Sequence, residues 1–165
     1  MRSKLPMALV ILVLLVLVAP LTYGHTPILY VEDFHDGTVY VEGGFSDGSS
    51  AAGVKIYLVE STAFSGDTSI RDEYLETVFS DNPQAGAEYL ERLGEDIDGA
   101  GAGMEYAKLP PELFEGKLVI YRSQLDEYGE LILRKPRGEY QIVFDAGPGH
   151  VVVKQGPLLT DTEAK

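Results

Sequence analysis

Seven short runs of β-branched and aromatic residues, each closed by a turn signal, restrict this chain more than any other feature. Ile28–Val31, Thr38–Glu42 and Val54–Val59 form a first block, with turns at Asp36-Gly37 and Asp47-Gly48-Ser49. Lys117–Tyr121, Glu130–Leu133, Tyr140–Phe144 and Val151–Val153 form a second, with turns at Glu127-Tyr128-Gly129 and Arg137-Gly138. Runs of this kind fit a pleated, half-buried surface, and the glycine-bearing turns join them into antiparallel pairs. Neither block has enough strands to bury a core alone, so both belong to one domain. The expected fold is mainly β, an immunoglobulin-like (prealbumin-like) β-sandwich of about seven strands.

The stretch between the blocks, at about 64–108, reads differently. Ser69 is placed to cap a helix through Phe79, with Ile70, Tyr74, Val78 and Phe79 near one face. Asn82-Pro83 reads as the cap and first residue of a second helix ending at Gly94, striped by Ala87, Leu90 and Leu93. Gly99 to Gly103 is a flexible connector, and Pro110-Pro111 stops any continuation. A helical hairpin inserted into the sandwich is expected, either covering a sheet or acting as a lid. The tail at 161–165 is expected to fray.

Residues 1–24 have the layout of a signal peptide. Arg2 and Lys4 form a basic start, Leu5 to Ala19 an apolar stretch, and Thr22-Tyr23-Gly24 a small-x-small cleavage site. The apolar run falls short of the roughly 20 residues a spanning helix needs. An exported, periplasmic domain at 25–160 is expected, held by an N-terminal anchor if the signal stays uncut. The chain has no cysteine, so export brings neither a disulfide nor a lipid-modified thiol, and burial must stabilise the fold. Its formal charge is −13, with 26 acidic residues against 13 basic ones. Such a surface repels nucleic acid and anionic lipid and attracts cations. No nucleic-acid partner, and no direct lipid binding after cleavage, is expected.

Cleavage after Gly24 would make His25 the first residue, with two metal-competent nitrogens, its α-amine and its imidazole. Only His35 and His150 accompany it. His150 ends the loop Asp145-Ala146-Gly147-Pro148-Gly149-His150, where two glycines and a proline fix a tight turn at a strand end. First and last strands of a sandwich can lie side by side, which would bring His25 and His150 to one end. His35, in the first hairpin turn, lies a strand away, roughly 20 Å at about 3.3 Å per residue. His25 and His150 are therefore the favoured metal ligands, with His35 a weaker addition. Nitrogen-rich, thiolate-free ligation suits nickel, copper, cobalt or zinc rather than calcium or magnesium, and affinity alone favours copper. Both amine and imidazole bind only when deprotonated, so affinity should fall as pH drops below about 7.

Two segments carry a resemblance. Val41-Glu42-Gly43-Gly44-Phe45-Ser46-Asp47-Gly48-Ser49-Ser50-Ala51-Ala52-Gly53-Val54-Lys55-Ile56 and Gly138 to His150 resemble the periplasmic, carboxypeptidase-regulatory-like accessory proteins of energy-coupling-factor-type nickel and cobalt uptake transporters. The resemblance implies a sandwich fold, an exported location, a nickel or cobalt ion as cargo and a membrane permease as partner.

Enzyme constellations are missing. No cysteine nucleophile, Gly-x-Ser-x-Gly elbow, phosphate loop or His-Glu-x-x-His helix occurs, and Glu32/Asp33 and Asp126/Glu127 read as solvated charge. A non-enzymatic metal-binding accessory protein is expected. The alternatives are a copper-dependent polysaccharide oxygenase, which also begins with histidine and clamps its ion with a second one, and a plain sandwich interaction module. Against the oxygenase stand the absence of tryptophan and of an evident flat aromatic platform.

Overall fold

The computed structural model describes residues 25–98 and 113–164. The expected signal peptide at 1–24, the expected connector at Gly99–Gly103 and Pro110-Pro111 lie outside them. Eight strands and two helices follow in the order β1 (Pro27–Asp33), β2 (Thr38–Phe45), β3 (Lys55–Glu60), α1 (Ser69–Val78), α2 (Pro83–Asp98), β4 (Leu113–Phe114), β5 (Lys117–Gln124), β6 (Glu130–Arg134), β7 (Tyr140–Asp145) and β8 (Val151–Gln155). The seven expected strands are all present. The two-residue β4 is additional, and too short to show as a periodic run.

The strands form two antiparallel sheets, β1-β2-β6 and β4-β5-β3-β7-β8. Alternation assigns each side chain to a face. Val39 and Val41 of β2, Leu29 of β1 and Leu133 of β6 point inward and meet Ile56, Leu58, Ile142 and Phe144 of the larger sheet in one core. The molecule is thus a β-sandwich.

The helical hairpin covers a sheet. α1 lies against β5, and the Tyr74 hydroxyl donates to the Arg134 carbonyl of β6 at 3.2 Å. The Tyr89 hydroxyl of α2 accepts from the Arg122 amide at 2.6 Å, and its ring stacks on Tyr121 at 5.1 Å. Between Leu58 and Val59 the β3–β5 register shifts by a bulge, which leaves Tyr121 paired with Leu58. Sharing that face, Tyr121 reaches Tyr74 at 5.5 Å as well.

Several local expectations need correction. Thr68, not Ser69, is the cap residue of α1, and it makes no side-chain capping bond. Asp67 instead accepts the Ser69 amide at 2.9 Å. α2 continues past Gly94 to Asp98, since a lone glycine weakens a helix without stopping it. Its inward residues include Gly86, Tyr89 and Leu90, whereas Ala87 faces solvent. Asn82 does cap α2, its Oδ1 accepting the Ala85 amide at 3.2 Å. The tail docks rather than fraying in its described part: Glu163 Oε2 accepts the Thr160 amide and hydroxyl, each at 2.7 Å.

Candidate functional site

β1 and β8 are the edge strands of opposite sheets, and they approach one another. His25 lies just before the first and His150 just before the second. Both rings flank Phe45, the last residue of β2, with centroids 6.4 Å and 6.3 Å from its own. Phe45 in turn packs edge-on against buried Phe144 at 5.8 Å. The structure therefore brings His25 and His150 to one end of the sandwich.

Each histidine is held by its surroundings. The Thr26 amide donates to Ser46 Oγ at 3.1 Å, and the Ser46 amide donates to the Thr26 carbonyl at 2.9 Å. Those two bonds fix the chain beside His25. His25 Nδ1 contacts Asp47 Oδ2 at 2.5 Å. The other Asp47 oxygen accepts the Ser49 amide at 3.1 Å and hydroxyl at 2.7 Å, which closes the Phe45–Ser49 turn. Those Ser49 bonds, with the His25 charge adding less, hold the Asp47 carboxyl below its usual range.

The second histidine is positioned by its loop. Gly147 and Gly149 have φ of 102° and 79°, values that side chains rarely adopt. That backbone lets the His150 amide donate to the Gly147 carbonyl at 2.9 Å and the Ala146 amide to the His150 carbonyl at 3.1 Å. His150 Nδ1 lies 3.2 Å from the Pro148 carbonyl. A carboxylate and a carbonyl thus hold the two Nδ1 atoms, and neither Nε2 has a hydrogen-bond partner among the described residues. Orientation of one ring nitrogen by an acceptor is how metal-binding imidazoles present the other.

His35 is elsewhere. It sits in the β1–β2 turn, a seven-residue strand away from His25, with a left-handed φ of 57°. Its amide donates to Asp33 Oδ1 at 2.8 Å, and its Nδ1 lies 3.3 Å from Asp33 Oδ2. Asp33, His35 and Glu163 form a close group of acceptors. A metal there would meet a fixed positive charge, because Lys135 Nζ lies 2.8 Å from Asp33 Oδ1 and 2.6 Å from Glu163 Oε1. The hydrogen bonds from Lys135 and Thr160 hold Glu163 down to about 2.

Asp33 is therefore not the solvated charge the sequence reading made it. The signal was present in the alternation. Leu29, Val31 and Asp33 share one face of β1, and Leu131, Leu133 and Lys135 continue one face through and beyond β6. Asp33 and Leu133 both pair with Val39, and the Lys135 amide donates to the Gly37 carbonyl at 2.9 Å.

An exposed aromatic cluster also exists, with Tyr30 edge-on to Tyr40 rather than in one plane with it. Tyr30, Phe34 and Tyr40 are on the outer face of the three-stranded sheet, with Phe34 stacked on Tyr40 at 5.8 Å. Glu32, Glu42 and Glu130 alternate with them. A cleft of about 160 Å³ between α1, the β6–β7 turn and the tail, with Lys135 and Glu163 in its lining, is smaller than the roughly 300 Å³ or more of a drug-sized ligand's pocket. Among the described residues no helix is long and apolar enough to cross a membrane. No family model, curated protein or solved structure matches this chain.

Proposed function

We propose that this chain is an exported, non-enzymatic accessory protein that binds a nickel or cobalt ion through His25 and His150 and passes it to a membrane permease. In this reading the sandwich is of the immunoglobulin-like (prealbumin-like) type, and residues 1–24 are its export signal. The carrying observation is the pair of rings flanking Phe45, each with Nδ1 held and Nε2 free. Two imidazoles without thiolate suit nickel, cobalt or copper over calcium or magnesium. The acidic surface favours approach of the cation.

The structure bears on which nitrogen of His25 is used. An imidazole closes a chelate ring with its own α-amine only through Nδ1, and Asp47 occupies that atom. In this reading Nε2 is the His25 donor, and binding does not depend on the amine. That weighs against a copper clamp built on the amino terminus. The exposed tyrosines favour contact with a partner surface, and the proposal places the permease there.

Calorimetric titration with nickel, cobalt and copper tests the site. His25→Ala and His150→Ala are each expected to lower nickel affinity about tenfold or more. Nickel binding unchanged in both variants would overturn the proposal.

A further inference from the structure

The outer face of the three-stranded sheet carries groups that neither the core nor the histidine end uses. Alternation puts Ile28, Tyr30 and Glu32 of β1, Tyr40 and Glu42 of β2, and Glu130 and Ile132 of β6 on that face. In register, Tyr30 stands opposite Glu42 and then Glu130, while Glu32 stands opposite Tyr40 and then Ile132. Tyrosine and glutamate thus alternate across β1 and β2 as well as along them. Ile28 is 51% exposed and Ile132 60%, with Tyr30 and Phe34 nearly half exposed beside them. Among the described residues no lysine or arginine forms an ion pair with Glu32, Glu42 or Glu130. Arg134, level with Thr38 at the far end of the face, lines the cleft beside α1.

Glu42 and Glu130 are directly opposite one another, and like charges so placed destabilise an antiparallel pair. The tyrosines hold the carboxylates in position. The Tyr30 hydroxyl donates to Glu32 Oε2 at 3.2 Å, and the Tyr40 hydroxyl donates to Glu42 Oε2 at 3.5 Å. Burial first, and then hydrogen bonding to Glu130, pushes the Tyr40 hydroxyl up to about 12, so it stays a donor. Ordered carboxylates beside exposed rings lose little freedom when a cation arrives. The folding cost of the Glu42–Glu130 pair is recovered only by positive charge from outside the chain.

We propose that this face docks a polypeptide surface bearing arginines among apolar side chains. The docking rests on the reading of the exposed tyrosines as the permease contact, and not on the histidine site. A guanidinium can lie over a tyrosine ring while its N–H fork meets the neighbouring carboxylate, which a lysine ammonium cannot match. Ile28 and Ile132 offer the apolar contact between such pairs. A second copy of the chain would set the same three glutamates against one another, and an anionic membrane would be repelled. Seven residues of β1 span about 23 Å, and three strands are about 15 Å wide, giving roughly 350 Å². That is less than half of the roughly 800 Å² per partner of a stable complex, so the contact is a transient one.

NMR titration of the isotope-labelled, metal-free protein tests this, with a synthetic peptide alternating arginine and leucine as probe. Peptides with lysine or glutamate in place of arginine serve as comparisons. Saturable shifts confined to the outer face, around Tyr30, Tyr40, Glu42, Glu130 and Ile132, are expected from the arginine peptide, weaker ones from lysine and none from glutamate. Glu130→Gln should raise the thermal midpoint of the free protein yet weaken arginine-peptide binding about threefold. Tyr30→Ala should weaken it about threefold with every carboxylate in place. His150→Ala should bind the peptide as the wild type does, so failure of the metal site and failure of this face are told apart. Absent or scattered shifts, equal binding of the lysine peptide, or unchanged binding in Glu130→Gln would overturn the proposal. So would self-association of the free protein through this face.

Discussion

Three ring contacts meet at Phe45, and two of them are with histidines. Phe45 donates no ligand atom, yet it sets where both imidazoles stand. Phe45→Ala is therefore expected to weaken nickel binding about 10–100-fold while leaving every ligand in the chain, as loss of supporting contacts around metal ligands does. Titration of that variant checks this, and wild-type affinity would show the ring to be mere packing. Asp47 offers a pH readout at the same scale. Its folded carboxyl is depressed by the Ser49 bonds first, so the turn's contribution to stability is complete above the ordinary aspartate value of about 3.9. That contribution is lost as pH falls through the lower, folded value. A carboxyl NMR titration should give an Asp47 midpoint below about 3.9 that rises in Ser49→Ala. A midpoint unmoved by the substitution would contradict the assignment.

At the scale of elements, β2 shows how a strand serves core and site together. Val39, Val41, Gly43 and Phe45 share its inner face by alternation. A Cβ on Gly43 would stand 2.5 Å from both Leu125 Cδ1 and the Phe144 ring. Gly43→Ala should cost about 1–3 kcal/mol through overpacking, measured by denaturant unfolding. The strands and turns were legible in sequence because alternation and glycine turns are local signals, and each expected strand formed. The end of α2, the exposure of Ala87 and the docking of the tail were not, because tertiary partners decide them. His25 and His150 could be paired from strand order alone. Asp33 and Lys135 were missed although each continues an inward-facing row, because a charge at a strand end reads as solvated until its partner is known. Asp47 was seen only as part of a turn, since nothing in Phe45–Ser49 reveals that His25 lies beside it.

Across the whole molecule, the candidate site spans both sheets. His25 enters on the smaller sheet and His150 on the larger, and both stand beside Phe45 at the end where the edge strands β1 and β8 approach each other. The other end is held by Lys135 between Asp33 and Glu163, which ties the tail to the sandwich. The two ends use different chemistry, a pair of imidazoles at one and a charge cluster at the other. One ion shared between the two histidines is the central claim, and a double-mutant cycle tests it most directly. Nickel affinity would be measured in the wild type, His25→Ala, His150→Ala and the double variant. If both imidazoles hold one ion, each single change removes most of the binding and the double variant loses little more, giving strong non-additivity. Losses that simply add, or single variants that bind nickel as the wild type does, would show that the two histidines do not share a site.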